Sequence, residues 1–255
     1  MKEGTLHKGV SFFGNLIERV VGKAKKAKEG YEKRTGIPLL LSLESRLSLP
    51  KLKQLIDLLS ERFIPPAIPA VMDKTILEMG EGSLKFRKQI LERKPKVFCG
   101  VVIGETGKTP PVESSLPFIL KGSFKSIPFE DQFFDCVVCR LASPLQGDVI
   151  TVFKEVGRVL VPEGEALFLD YHPFGLYSKG GAERLRSVQS TIRGVEDYFK
   201  MCKVAGLSIV DIHEGFVDDT LRNQFTTPEE MSAFREIKGT PLVLFLKVVK
   251  PRKKI

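Results

Sequence analysis

A glycine-rich turn between two apolar runs constrains the fold of this chain more than any other feature. Residues 75–79 form a short apolar run, and the sequence Gly-Glu-Gly-Ser at residues 80–83 turns the chain. Residues 84–93 have helical composition, and residues 96–103 form a second apolar run. This order predicts a βαβ unit in which backbone N–H groups and a helix N-terminus face a nucleotide-like ligand. By themselves these glycines are weak evidence for a ligand site, because glycines also make tight turns after strands in α/β proteins that bind nothing there.

The composition is typical of a globular protein with one large core, or with one core and a small appendage. Apolar residues make up 42% and charged residues 28% of the 255 residues. No apolar run approaches the roughly 20 residues that a membrane span needs. The N-terminus lacks the apolar stretch of a secretory signal. The sequence therefore predicts a cytoplasmic protein.

Two of the four cysteines, Cys136 and Cys139, form a C-x-x-C pattern that could indicate metal or redox chemistry. They fall in an apolar run that reads as a buried strand, where residues three apart point to opposite faces. No second C-x-x-C or histidine pair completes a zinc site. We therefore interpret both as structural cysteines and predict no metal site.

The net charge of +9 is concentrated at the two ends of the chain. Residues 1–35 hold nine lysines and arginines against four acids, and residues 247–255 hold five and none, so residues 36–246 have a net charge of −1. A neutral body argues against a nucleic-acid-binding surface. The basic ends are typical of solvated tails, and they are also candidates for contact with a membrane surface or a protein partner.

Two helices are predicted before the glycine turn. Residues 11–28 place apolar side chains at helical spacing, which indicates a helix that either docks on the domain or lies on a membrane or partner surface. A second helix begins at Ser48-Leu49-Pro50, and the proline-rich residues 64–69 are expected to end it. We predict a helical extension over residues 1–70 and a domain over residues 71–255.

Downstream, apolar runs and turn signals predict further strands and helices in alternation. Residues 134–141 and 165–170 read as strands around a helix at residues 148–160, with a turn at residues 162–164. Thr227 and Glu230 form a capping box with proline between them, so a helix should begin there.

Three sequence segments, in this order, resemble the class I S-adenosylmethionine-dependent methyltransferases, particularly the branch called type 11. ILEMGEGS is similar to the family's first motif, KSIPFEDQFFDCVVCRLAS to the passage into strand four, and FKEVGRVLVPEGEALFLDYHP to the following helix, turn and strand five. The resemblance implies an α/β fold: a doubly wound, mostly parallel seven-stranded Rossmann-like sheet, here with an N-terminal helical extension and a methyltransferase-like domain over residues 71–255.

The resemblance also implies a binding site for S-adenosylmethionine at the carboxyl ends of the strands. Three positions depart from the family's motifs: Leu84 replaces a third glycine, Val102 the acid that holds the ribose hydroxyls, and Ser123 an aspartate near the adenine. Glu105 is a candidate substitute for the missing ribose contact. Tyr171 and His172, after strand five, are the candidate catalytic residues. The candidate cofactor-binding residues are Glu78, Gly80, Glu81, Gly82, Ser83, Val102, Ser123 and Arg140.

Two functions are consistent with this sequence. The first is methyl transfer to a small-molecule or carrier-bound acceptor, in which catalysis is mainly alignment of the methyl group with a nucleophile. The alternative is a non-catalytic methyltransferase-like protein that binds a partner or acts as a scaffold, and it is supported by the departures at Val102 and Ser123. The methyl acceptor cannot be read from the sequence.

Overall fold

The computed structural model describes residues 49–81, 83–103, 118–140, 149–172 and 194–252. The predicted helix at residues 11–28, the basic residues 1–35 and residues 253–255, Gly82 and Glu105 lie outside these ranges. The elements, in chain order, are α1 (Leu49–Ala67), β1 (Thr75–Glu81), α2 (Arg87–Glu92), β2 (Val97–Ile103), β3 (Phe118–Gly122), β4 (Phe134–Arg140), α3 (Val149–Val159), β5 (Leu160–Tyr171), α4 (Val195–Val204), β6 (Ser208–Phe216), a 3₁₀ helix (Asp219–Gln224), α5 (Pro228–Ile237) and β7 (Pro241–Val249).

The seven strands form one sheet in the order β3-β2-β1-β4-β5-β7-β6. Strands β1 to β5 pair in parallel, and β7 runs antiparallel to both β5 and β6. The predicted fold class, a doubly wound and mostly parallel seven-stranded α/β sheet, is confirmed. Because parallel strands end at the same edge, the carboxyl ends of β1 to β5 meet there, where open α/β sheets bind ligands.

Helices pack on both faces of the sheet. On one face Phe63 of α1 stacks on Phe245 of β7, with ring centroids 5.9 Å apart. On the other face Phe153 of α3 stacks on Phe168 of β5 at 4.3 Å. These faces are opposite because Phe245 pairs with Leu169, the residue after Phe168. None of the helices in the described ranges is long and apolar enough to span a membrane.

The first described helix is longer than the sequence predicts. Residues 64–69 were expected to end it, yet α1 continues through Pro65 and Pro66 to Ala67. Proline lacks the N–H that a helix interior uses, but here the helix is near its end. Arg93 donates to the carbonyl oxygens of Pro65 (2.8 Å) and Ile68 (3.0 Å), which satisfies two groups at this end.

Helix α1 is part of the main core. Its buried side chains belong to the same apolar cluster as the strands: Leu52, Leu55, Ile56, Leu59 and Ile64. The division at residue 70 stays a prediction for the chain as a whole, but residues 49–67 pack directly on the sheet.

The turn expected at residues 162–164 is a distortion within a strand. β5 begins at Leu160, where it pairs with Phe134, and the register with β4 shifts before Glu165 pairs with Cys136. Glu163 adopts φ 67°, a left-handed conformation that is uncommon outside glycine. Its N–H bonds the carbonyl of Lys250 at 2.7 Å, so the backbone of this segment is held by the end of the chain.

One arginine joins the second and third sequence motifs. Arg158, in the last turn of α3, donates to the carbonyl oxygens of Ile127 (2.9 Å) and Phe129 (2.8 Å) and to the carboxylates of Asp131 and Glu155. Glu155 in turn accepts the N–H of Ile127 at 2.9 Å. These two residues fix the loop before β4 to α3, at the amino ends of β4 and β5. The three-residue spacing of Glu155 and Arg158 in the third motif therefore lets the two side chains bind each other and the same loop.

Candidate functional site

The glycine turn after β1 is as tight as its sequence predicts. A Cβ on Gly80 would lie 2.6 Å from the carbonyl oxygen of Ser83, closer than real Cβ contacts, so a side chain there would force the turn to move. Gly80 pairs with Val102 on one side and Arg140 on the other. Ser83 is exposed. Gly82 and the side chain of Glu81, both predicted to bind the cofactor, lie outside the described part of the structure.

Glu78 is a buried carboxyl with one oxygen satisfied and the other not. Its side chain lies on β1, where the residue is 3% exposed. Oε1 accepts the backbone N–H of Phe86 at 2.8 Å, at the start of α2. Oε2 is buried and has no hydrogen-bond partner in the described structure. Burial raises the pKa of Glu78 to about 7, although Phe86 and the positive charge of Arg140 act in the opposite direction.

Arg140, at the end of β4, lies on the same face of the sheet as Glu78. Arg140 pairs with Gly80, two residues beyond Glu78, and side chains two apart in a strand share a face. Its guanidinium is mostly buried, and Nη1 donates to Oδ1 of Asp57 on α1 at 3.2 Å. The same carboxylate oxygen lies 3.3 Å from Nζ of Lys85, just after the glycine turn.

The neighbouring strands offer no charged group where the family's motifs have acids. Val102 is 8% exposed at the end of β2, and Ser123 is exposed after β3, where its Oγ accepts the N–H of Lys125 at 3.1 Å. Leu84, in the place of the third glycine, packs so closely over Gly100 that a Cβ there would lie 2.1 Å from its Cδ1. Glu105, the candidate substitute, lies outside the described residues.

Tyr171 and His172 point to opposite faces of the sheet. Tyr171 pairs with Val243 and shares its face with Leu169, which pairs with Arg140. His172 follows in extended backbone, with its N–H bonded to the carbonyl of Leu242 at 2.9 Å. Consecutive residues in such a chain alternate faces. The structure therefore does not bring the two candidate bases into one site.

His172 is buried and forms a polar pair with Glu214 of β6. Its Nε2 lies 2.7 Å from Oε1 of Glu214 on β6, and its side chain is 5% exposed. Burial lowers the pKa of His172, and the carboxylate of Glu214 opposes that effect. On the same face, Asp170 accepts a hydrogen bond from the hydroxyl of Tyr198 at 2.9 Å. These polar pairs lie on the side of the sheet that packs against α3 and α4.

Asp57 and Lys85 belong to no motif and so escape sequence-based prediction. A usable signal is the spacing of Asp57 and Glu61, which are four residues apart on one side of the predicted helix. Nζ of Lys85 lies 3.3 Å from Oδ1 of Asp57 and 3.1 Å from Oε1 of Glu61. Charged pairs of this kind become visible only when α1 is packed across the sheet.

The family profile described as "Methyltransferase domain" matches residues 81–168. That segment is about a third of the chain, and over it the chain is similar to this family. The match begins at the glycine turn and ends in β5, so it contains the carboxyl ends of β2 and β4 but not Glu78 or α1. Together with the sheet order, it identifies the fold as that of the class I methyltransferases.

Known proteins agree with this identification. A 52-residue stretch is 38% identical to the uncharacterized methyltransferase YcgJ of Bacillus subtilis, and it covers 20% of this chain and 21% of that relative. The structure is similar to an S-adenosylmethionine-dependent methyltransferase of Mesorhizobium loti, with TM-score 0.57, 17% identity, and 78% of this chain and 99% of that chain covered. It is also similar to geranyl diphosphate C-methyltransferase of Streptomyces coelicolor, with TM-score 0.53, 14% identity, and 78% and 80% covered.

One observation fits the cofactor that the family implies. Oε2 of Glu78 is buried and has no hydrogen-bond partner among the described residues, and a buried polar atom is expected to have a partner. The amino-acid end of S-adenosylmethionine carries an ammonium and a carboxylate, and Glu78 and Arg140 have the complementary charges. For the ribose and adenine, the described residues Val102 and Ser123 offer no carboxylate.

Proposed function

We propose that this protein binds S-adenosylmethionine at the carboxyl ends of β1 and β4 and transfers its methyl group to a small-molecule or carrier-bound acceptor. The observation that carries the proposal is the buried oxygen of Glu78, which has no partner in the described part of the chain and lies beside the tight turn at Gly80. A carboxyl group held this way is costly to leave unsatisfied, and a ligand ammonium would satisfy it.

In this proposal each described residue has a defined task. Glu78, ionised, accepts hydrogen bonds from the ligand ammonium, and Arg140 holds the ligand carboxylate. Gly80 allows the backbone of the turn to approach the ligand closely. When bound, S-adenosylmethionine supplies an electrophilic methyl group, and the protein contributes orientation and exclusion of water.

Tyr171 is the candidate contact for the methyl acceptor. Tyr171 lies on the face of the sheet that carries Arg140, and we propose that it contacts the acceptor. His172, with its lowered pKa, is neutral at pH 7 and could accept a proton, but its side chain lies on the other face. A proton acceptor for methyl transfer must lie within hydrogen-bond reach of the acceptor, which favours Tyr171 over His172.

Calorimetric titration with S-adenosylhomocysteine and S-adenosylmethionine tests the cofactor site. We expect micromolar binding by the native protein and no measurable binding by Gly80→Arg. Glu78→Gln should weaken binding about 10- to 100-fold, because one charge-assisted hydrogen bond is worth about 1.5–3 kcal/mol. Arg252→Gln, at an exposed site that pairs only with Glu163 among the described residues, is a control that should leave affinity unchanged.

Absence of binding at millimolar ligand would contradict the proposal. The alternative, a non-catalytic partner-binding protein, would then account for the missing acids at Val102 and Ser123. Contacts through the basic N-terminal segment and the C-terminal tail, with a membrane surface or a protein partner, would become the next hypothesis to test.

A further inference from the structure

One carboxylate on α1 contacts both segments that border the proposed cofactor site, the end of β4 and the residues just after the glycine turn. Oδ1 of Asp57 lies 3.2 Å from Nη1 of Arg140, at the end of β4, and 3.3 Å from Nζ of Lys85, after the glycine turn. Arg140 and Lys85 are 55 positions apart in the sequence. Asp57 lies outside residues 81–168, the segment that matches the family. The contact is therefore a feature that the family match does not describe.

In the cluster formed by Asp57, Arg140 and Lys85, the two cations are more buried than the acid. The side chains of Arg140 and Lys85 are 11% and 19% exposed, whereas that of Asp57 is 46% exposed. A mostly buried guanidinium needs an anion beside it, because an uncompensated buried charge is unfavourable. Asp57 supplies that anion from the solvent side of the cluster, so the burial of Arg140 depends on α1.

Glu78 is the other acid that Arg140 can influence. The charge of Arg140 lowers the pKa of Glu78, as does that of Arg87, while Lys85 contributes its backbone N–H. Arg140 nevertheless makes its hydrogen bond with Asp57. If that bond were lost, the guanidinium could turn towards the unpartnered Oε2 of Glu78. An internal pair of this kind would compete with the ammonium of a ligand for the same oxygen.

We propose that Asp57 is a positioning residue for the cofactor's amino-acid end, and this inference rests on the proposed function. Asp57 holds the Arg140 guanidinium away from Glu78. A guanidinium has five N–H donors, and among the described residues Arg140 uses one of them, for Asp57. This bond directs the guanidinium towards α1, and other donors face the carboxylate of the ligand. The N-terminal helix thereby completes a site whose other groups come from the glycine turn and β4.

The test compares Asp57→Asn with Glu61→Gln in the full-length chain. Each substitution removes one negative charge from α1, and both residues pair with Lys85, but only Asp57 contacts Arg140. Two probes are titrated: S-adenosylhomocysteine, and 5′-methylthioadenosine, which lacks the amino-acid end. Thermal unfolding and circular dichroism establish that each variant is folded.

We expect Asp57→Asn to weaken S-adenosylhomocysteine binding about five- to tenfold, the scale of a partly buried charge pair. Binding of 5′-methylthioadenosine should stay within about twofold, as should binding of both probes to Glu61→Gln. Asp57→Glu, which keeps the carboxylate, should recover most of the lost affinity. If Asp57 had only a structural role, Asp57→Asn would weaken the binding of both probes to a similar extent. A loss confined to S-adenosylhomocysteine would not result.

Two results would overturn the positioning role. One is native affinity for S-adenosylhomocysteine in Asp57→Asn, and the other is an equal loss for both probes. Failure of the proposed function looks different, because the native protein would then bind neither probe. Native binding with an unaffected Asp57→Asn variant would overturn the positioning role alone and leave the cofactor site in place.

Discussion

The β1–β4 half and the β2–β3 half of the carboxyl edge differ in the groups that they present to a ligand. The first half holds a buried carboxyl, Glu78, two residues before Gly80 on β1, and a mostly buried guanidinium, Arg140, which pairs with Gly80 from β4. The second half presents Val102 and Ser123, neither of which carries a charge. An amino-acid end and a nucleoside end of one cofactor would thus be recognised in different ways. The charged half should control both affinity and its dependence on pH.

The largest expected effect concerns the cost of ionising Glu78. Its pKa rises from 4.5 to about 7 in the folded protein. Because one pKa unit corresponds to about 1.4 kcal/mol, the ligand-free protein should lose about 3 kcal/mol of stability as the pH rises from below 4.5 to above 7. The sign follows from proton binding: between these values the folded state holds a proton that the unfolded state has released. Glu78→Gln should lack this loss.

Urea unfolding of the native protein and of Glu78→Gln at pH 5 and pH 8 measures this effect. The variant should gain stability relative to the native protein at the higher pH, even though it binds S-adenosylhomocysteine more weakly. Taking the difference between the two proteins removes other titrating groups, such as His172. Parallel pH dependences for the two proteins would contradict a buried carboxyl with a raised pKa at this position.

A smaller effect on stability is expected at the opposite edge of the sheet, where Arg158 binds the loop before β4. Arg158→Ala removes bonds to two carbonyl groups and two carboxylates. Because this side chain is 30% exposed, we expect the free energy of unfolding to fall by about 2 kcal/mol. Chemical denaturation measures that loss. Affinity for S-adenosylhomocysteine should stay within about twofold, since the site lies at the carboxyl edge.

Arg158→Lys is the matched control, because it keeps the charge but cannot bind several acceptors in a fixed geometry. Its stability should lie between those of the native protein and Arg158→Ala. A clear loss of cofactor affinity with unchanged stability would show that the two edges of the sheet are coupled. It would contradict the expectation that Arg158 affects stability alone.

The smallest expected effect is a gain of affinity in the β2–β3 half. Val102→Asp restores an acid at the end of β2, where two ribose hydroxyls could donate to it. We expect S-adenosylhomocysteine to bind about tenfold more tightly, less than two full charge-assisted bonds because the new carboxylate must first be desolvated. Calorimetry of Val102→Asp beside Val102→Asn measures the contribution of the charge. Unchanged affinity would indicate that another group, with Glu105 the first candidate, already serves the ribose.

Local patterns predicted much of this molecule. The strand and the helix around Gly80 are present, although the strand extends to Glu81 and the helix is limited to Arg87–Glu92. The capping box of Thr227 and Glu230 begins α5 at Pro228. Gly206 follows the end of α4 and has φ 72°, the left-handed conformation that glycine commonly adopts just after a helix. Patterns failed where partners distant in sequence decide the backbone. Arg93 supports the proline-containing end of α1, and hydrogen bonds with Lys250 make the turn predicted at residues 162–164 part of β5.

The sequence by itself determined the order of strands and helices, the glycine turn and the acid before it, because these depend on propensity, periodicity and short spacing. It could also indicate which motif acids are missing, since that is a matter of residue type. Only the tertiary structure decided which charges meet. It turned Tyr171 and His172 to opposite faces, left one oxygen of Glu78 buried without a partner among the described residues, and brought Asp57 to Arg140. Charge contacts of this kind depend on how a helix packs across a sheet, and no local pattern records that packing.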